Sequence, residues 1–240
     1  MKKLILLIWV AAYSTVPALA DDHASESAGN GAFTTLFVAA KDVEGYIKSV
    51  KSNPSLFEAI GTDAAGYCET ISGRDDVGQL MIWNAFSSVT DALVGASKYD
   101  ASKAPADMAS QRTFKYATTW APLKPFPRLD PGYERAMRIK ISSENLPVFI
   151  ATISKMEREI IAAGHDSFMN GLFVAMGGGV HEAGTYYLKS ITSSVETHGA
   201  VIDDYFAGAA WGATYNEASA MIDEVVNDQF EVCEQFYTAE

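Results

Sequence analysis

Gly78 to Val89 reads GQLMIWNAFSSV, and Gly184 to Val195 reads GTYYLKSITSSV. Gly, Ser, Ser and Val recur at a constant offset of 106 residues. In each copy a glycine opens an apolar and aromatic run of strand length, and a serine pair supplies an N-cap before valine starts a helical stripe. A strand that runs straight into a helix, written twice, predicts a duplicated module.

The flanks repeat as well. Before the first copy, Phe33 to Ala40 has strand composition, and Asp42 caps a helix with Val43, Tyr46, Ile47 and Val50 on one face; Asn53-Pro54 interrupts it. Ala65 to Ser72 is a second strand. After the copy come a helix over Ser88 to Tyr99, a short polar helix near Pro105 to Ser110, and a strand over Thr113 to Trp120 with Phe114, Tyr116, Thr118 and Trp120 on one face. Pro122, Pro125, Pro127 and Pro131 then break the chain.

The second half repeats the order. Tyr133 to Ile141 alternates Met137, Ile139 and Ile141 against Arg138 and Lys140. Glu144 to Ala163 is a helix closed by Gly164, Ser167 to Met176 a strand, Thr185 to Ile191 the next, and a helix follows Ser194. The spacing predicts a further helix over Glu217 to Val226 and a last strand over Asp228 to Tyr237. Each half therefore reads βαββαβ, the ferredoxin-like unit of an α+β protein, whose helices cover one sheet face and leave the other bare. Two units in tandem can cover each other's bare faces around a barrel-like interior. The predicted organisation is a signal peptide over 1–20, a leader over 21–31, a first repeat over 32–121, a Pro-rich linker over 122–132 and a second repeat over 133–240.

The signal reading rests on Lys2 and Lys3, the apolar run Leu4 to Val10 and the small-x-small triplet Ala18-Leu19-Ala20. That run is too short for a retained span, and no later segment is long and apolar enough, so the mature chain is expected to be periplasmic or secreted without membrane insertion. Losing two lysines takes the formal net charge from −12 to −14. So acidic a chain argues against nucleic acid as a partner, which needs a basic surface to displace counterions.

The strand-to-helix stretches LMIWNAFSSVTDAL and YYLKSITSSVETHGAV give the chain its resemblance to the dimeric α+β barrel superfamily, in particular the antibiotic-biosynthesis-monooxygenase-like group, with two units fused in one chain. The resemblance implies an interior small-molecule site and an activity such as cofactor-independent or haem-handling oxygenation, with haem as the cofactor to test. The same fold without chemistry, a periplasmic binding or interaction protein, is the alternative. The superfamily's strand commonly carries an aromatic, matched by Trp83, and leads into a helix that often bears a histidine, matched by His198. Its mode of association places the second strand of one unit beside the last strand of the other. Cys68 and Cys233 lie on those strands, and so can form a disulfide or remain two buried thiols.

The residues themselves add detail. His198 falls on the apolar stripe of its helix, where an imidazole can act as haem ligand or base or be a satisfied core histidine. Arg138 and Lys140 share the strand face opposite the helices, and Lys115 lies off the aromatic face of its strand. Within a closed interior they would favour an anionic or enol-type ligand; on an open sheet they are a solvated face. Trp83 is a core or ligand-lining residue, and Asn84 points the other way. His165-Asp166 and His181-Glu182 sit in turns and match no metal spacing, so no metal site is predicted. Gly177 to Gly179 is a hairpin loop without a phosphate-binding pattern.

Overall fold

The computed structural model of the chain describes residues 31–126, 128–129 and 131–240, so the expected signal peptide and all but the end of the leader lie outside the described residues. The first repeat runs β1 (Ala32–Ala40), α1 (Val43–Lys51), α2 (Pro54–Ile60), β2 (Ala64–Ser72), β3 (Gln79–Phe86), α3 (Val89–Lys98), α4 (Ala106–Gln111) and β4 (Arg112–Pro122). The second runs β5 (Tyr133–Lys140), α5 (Leu146–Ala162), β6 (Met169–Met176), β7 (Tyr186–Thr192), α6 (Val195–Phe206), α7 (Gly212–Ser219) and β8 (Glu224–Thr238). The eight strands close a barrel in the order β1-β3-β2-β8-β5-β7-β6-β4. Each repeat thus contributes four neighbouring strands, and the repeats meet at two seams, β2 with β8 and β4 with β6.

The duplicated stretch does the same local work twice. Gly78 and Gly184 both take left-handed φ values, 73° and 74°, which a glycine adopts without steric cost. Ser88 and Ser194 then accept hydrogen bonds from the amides of Asp91 and Thr197, capping α3 and α6. Across the ladder, Gly66 faces Trp83 and Gly171 faces Lys189, so in each repeat a glycine opens space for a large inward side chain.

Three apolar layers result. Met137, Ile139 and Ile141 pack with Phe149, Ile153 and Ile160 of α5 beneath the helices of the second repeat. Leu36, Val38, Leu80 and Ile82 do so with Tyr46, Val50 and Phe57 in the first. The third layer fills the barrel: Phe37, Met81, Trp83, Trp120, Phe173 and Tyr187 meet from both repeats. The bare sheet faces shelter each other.

Two sequence expectations shift. The last helix lies over Gly212–Ser219 rather than Glu217 to Val226, because β8 begins at Glu224, where Val225 pairs with Ile139 and Glu224 with Lys140. Phe114 leaves the face shared by Tyr116, Thr118 and Trp120: the β1/β4 register slips between Phe37 and Val38, so Lys115 is an extra residue in β4 and Phe114 turns outward, 41% exposed.

Candidate functional site

The barrel interior holds two cavities, one toward each mouth. At one end the linker crosses the opening, with Phe126 edge-on to Phe33 and Phe173 at 5.9 and 5.3 Å. Lys124 anchors it: the buried ammonium donates to Glu157 Oε2 at 3.0 Å and to the Asn170 carbonyl at 2.7 Å. Beneath lies an apolar cavity of about 60 Å³ walled by Phe33, Met81, Trp83, Trp120 and Tyr187. Two charged side chains open into it, Glu134 and Lys189.

Glu134 comes from β5, Lys189 from β7 and Glu231 from β8, all pointing inward and buried. Lys189 Nζ donates to Glu134 Oε2 at 2.5 Å and to Glu231 Oε2 at 3.2 Å. Glu231 Oε1 accepts from Gln229 Nε2 at 2.6 Å. Burial pushes the Glu134 carboxyl up against the pull of Lys189, and the Glu231 charge pushes it further. For Lys189, burial favours the neutral amine, but Glu134, Tyr187 and Glu231 outweigh it and raise its pKa, so the ammonium is retained. A carboxyl beside a fixed cation in an apolar enclosure can take or give a proton while the cation steadies a developing oxyanion. Cys68 completes the wall and is joined to Cys233 as a disulfide across the β2/β8 seam, where the two are direct cross-strand partners. Lys189 Nζ lies 3.9 Å from Cys68 Sγ.

The opposite mouth carries the β2–β3 and β6–β7 hairpins and a polar cavity of about 330 Å³. Arg138 lines it from β5; its Nε donates to both Glu182 oxygens at 2.9 and 3.0 Å and its Nη2 to the Tyr116 hydroxyl at 2.9 Å. The Tyr116 hydroxyl in turn donates to Glu182 Oε1 at 2.6 Å. Burial raises the Tyr116 pKa despite Arg138, so the phenol keeps its proton. A Cβ on Gly178 would stand 2.4 Å from Glu182 Cγ, so the glycine is what lets Glu182 turn inward. Tyr116 lies between Phe37 at 4.4 Å and His181 at 4.2 Å as a stacked ladder.

The residues singled out from sequence separate into different places. Trp83 lines the apolar cavity, and Arg138 and Lys115 line the polar one. Lys140 does not reach the interior: it lies past the last β5/β7 pair and bonds Glu224 at 2.7 Å on the surface. Each of the three predicted cations has a carboxylate partner, Glu182 for Arg138, Asp76 for Lys115 and Glu224 for Lys140. Asn84 points away from Trp83 and donates to Thr34 Oγ1 at 3.3 Å.

His198 is buried beneath α6, outside the barrel. Its ring stands edge-on to Tyr133 and Phe230 at 5.4 and 5.6 Å, and Nδ1 lies 3.2 Å from Thr192 Oγ1. Burial, then the nearby Arg135 cation, lowers its pKa to about 4. Neither of the two cavities is lined by His198, which sits in the layer beneath α6 with Thr192 as its hydrogen-bond neighbour. Among the described histidines, His198 is enclosed, His165 bonds Asp204 and His181 stacks on Tyr116 at the polar cavity, so none faces the apolar cavity, which at about 60 Å³ is too small for a haem.

Glu182 enters the sequence reading only beside His181 as a rejected metal pair, and Glu134, Lys189 and Glu231 do not enter it, although a signal points to two of them. Glu134 shares the strand parity of Arg138, and Lys189 occupies the repeat position of Trp83.

No protein-family model matches the chain, and no curated protein matches it. Solved structures do. A candidate monooxygenase from Lactobacillus acidophilus NCFM is similar over 88% of this chain and 96% of its own, with a TM-score of 0.58 and 10% identity. An anthrone oxidase-like protein is similar over 88% and 97%, with a TM-score of 0.57 and 10% identity. A variant of the chlorite dismutase from Candidatus Nitrospira defluvii is similar over 87% and 92%, with a TM-score of 0.54 and 11% identity. At such identities the likeness is one of fold.

Proposed function

We propose, from the premise that this chain is a dimeric α+β barrel with both repeats in one polypeptide, that it binds a small apolar molecule in the barrel interior and abstracts a proton from it without a cofactor. One observation carries the reading: the Glu134–Lys189 pair opens into a cavity otherwise walled by aromatic and aliphatic groups. A ligand with a C–H beside a carbonyl would give its proton to the Glu134 carboxylate. The electron pair would move onto the carbonyl oxygen, held by the Lys189 ammonium, and Glu231 would keep that ammonium in place. Such an anion is a species that can react onward with oxygen, and the neighbours' names, a monooxygenase and an anthrone oxidase-like protein, are in keeping with oxidation of a small molecule. Substrates are small, since about 60 Å³ admits only a handful of non-hydrogen atoms. Export to the periplasm or medium belongs to the same reading, supported by a disulfide between the halves, which persists in oxidising compartments.

The test is hydrogen–deuterium exchange into small cyclic ketones such as cyclopentanone. Exchange catalysed by the protein and reduced at least 100-fold by Glu134→Gln supports the reading, by the usual size of general-base effects. Binding without exchange favours a non-catalytic binding protein, which the full engagement of Lys189 by two carboxylates supports. No binding removes both.

A further inference from the structure

The polar cavity at the hairpin mouth stands apart from the Glu134–Lys189 site and has its own chemistry. Its floor is set by one cross-strand pair, Arg138 on β5 directly opposite Asn227 on β8. Side chains so paired lie about 4.5 to 5.5 Å apart at Cβ. Arg138 uses Nε and Nη2 on Glu182 and Tyr116 and has no partner for Nη1 among the described residues. Asn227 Oδ1 is closed off from water and likewise has no partner. A buried polar atom without a hydrogen bond is costly, so its position beside a cation calls for a physical reason. An asparagine amide turns easily about χ2, which would bring Oδ1 into the cavity that the residue lines.

Donor and acceptor therefore stand side by side: a guanidinium edge for a carboxylate and an amide oxygen for an ammonium. Only a ligand with both groups on adjacent atoms meets both. Around the space Glu182 pairs with Arg138 and Asp76 with Lys115, and Asp75 is left over, so a simple anion is disfavoured and a ligand carboxylate needs its own ammonium beside it. One wall is aromatic, the Phe37–Tyr116–His181 ladder. At about 330 Å³ the space is in the range of small-molecule sites.

We propose that this cavity binds a free α-amino acid with a flat side chain, its carboxylate on Arg138, its ammonium on Asn227 and Asp75, and its ring along Tyr116 and His181. The proposal does not depend on chemistry at the opposite mouth. The test is calorimetric titration of the full mature chain with L-phenylalanine, N-acetyl-L-phenylalanine and L-phenylalaninamide. The free amino acid is expected to bind, and blocking either end to weaken binding at least tenfold. Asn227→Ala removes an unpartnered group, so the variant is expected to keep its melting temperature and lose at least tenfold in affinity. Arg138→Lys is expected to lose as much. No heat with L-phenylalanine at 10 mM or above, equal binding of the acetylated compound, or undiminished binding by Asn227→Ala would each overturn the proposal.

Discussion

Lys189 stands in the second repeat where Trp83 stands in the first, and both side chains wall the same apolar cavity. The duplication thus placed an indole and an ammonium at equivalent points of one interior. The ammonium is tolerable there only because Glu134 and Glu231 flank it.

Removing that ammonium tests the balance. Lys189→Met leaves two buried carboxylates facing each other and is expected to lower stability by about 3 to 5 kcal/mol at neutral pH. Glu134 already has a raised pKa, and the substitution raises it further. A raised carboxyl pKa stabilises the fold fully below the unfolded value and loses that effect as pH rises through the folded value. Urea midpoints of the variant should therefore recover toward wild type between pH 7.5 and pH 4.5. A deficit that stays constant with pH would reject the charge argument.

His198 predicts the opposite slope. Its pKa is lowered to about 4, so its contribution is complete above the unfolded value near 6.5 and is lost as pH falls through that interval. The loss is on the order of 3 kcal/mol. His198→Phe, which keeps a ring between Tyr133 and Phe230, should flatten this part of the stability profile measured by urea unfolding at pH 7.5, 5.5 and 4. Activity at either cavity should be unchanged.

Gly66 supports Trp83 from the next strand. A Cβ there would meet Trp83 Cζ2 and the Glu234 carbonyl oxygen at 2.2 Å each, and backbone on one side cannot yield. Gly66→Ala is expected to cost about 1 to 3 kcal/mol and to shift tryptophan emission as the indole leaves its wall. Thermal unfolding with fluorescence reads both; an unmoved spectrum would mean that the strand shifts instead.

The disulfide spans 165 residues of chain, so the entropy model assigns it about 4 to 5 kcal/mol. The double variant Cys68→Ala, Cys233→Ala should lose up to that amount in urea, with the wild type under oxidising conditions as reference.

Most of the architecture was legible in the residues because the periodicity was strong where it mattered. Gly78/Gly184 and Ser88/Ser194 mark the same turn and cap in both repeats, and Met137, Ile139 and Ile141 alternate cleanly, so strand parity put Arg138 on the inner face. What stayed hidden depended on register. Lys115 reaches the polar cavity through a one-residue bulge, and Lys140 misses the interior because the β5/β7 ladder ends before it. Glu134 and Lys189 are hidden for another reason: a charged residue alternating with apolar ones is the ordinary look of a wet strand. Only closure of the barrel turns that face into an interior. Val225 and Val226 looked helical by spacing, and only the pairing of β8 with β5 makes them strand.

The two repeats are joined through the backbone that crosses one mouth and through sulfur at the β2/β8 seam. Trypsin acting at the exposed Arg128 of that crossing would leave two fragments that still migrate as one species on a denaturing gel. Adding a thiol reagent would release them, and in native buffer the pieces should then reassociate as a heterodimer.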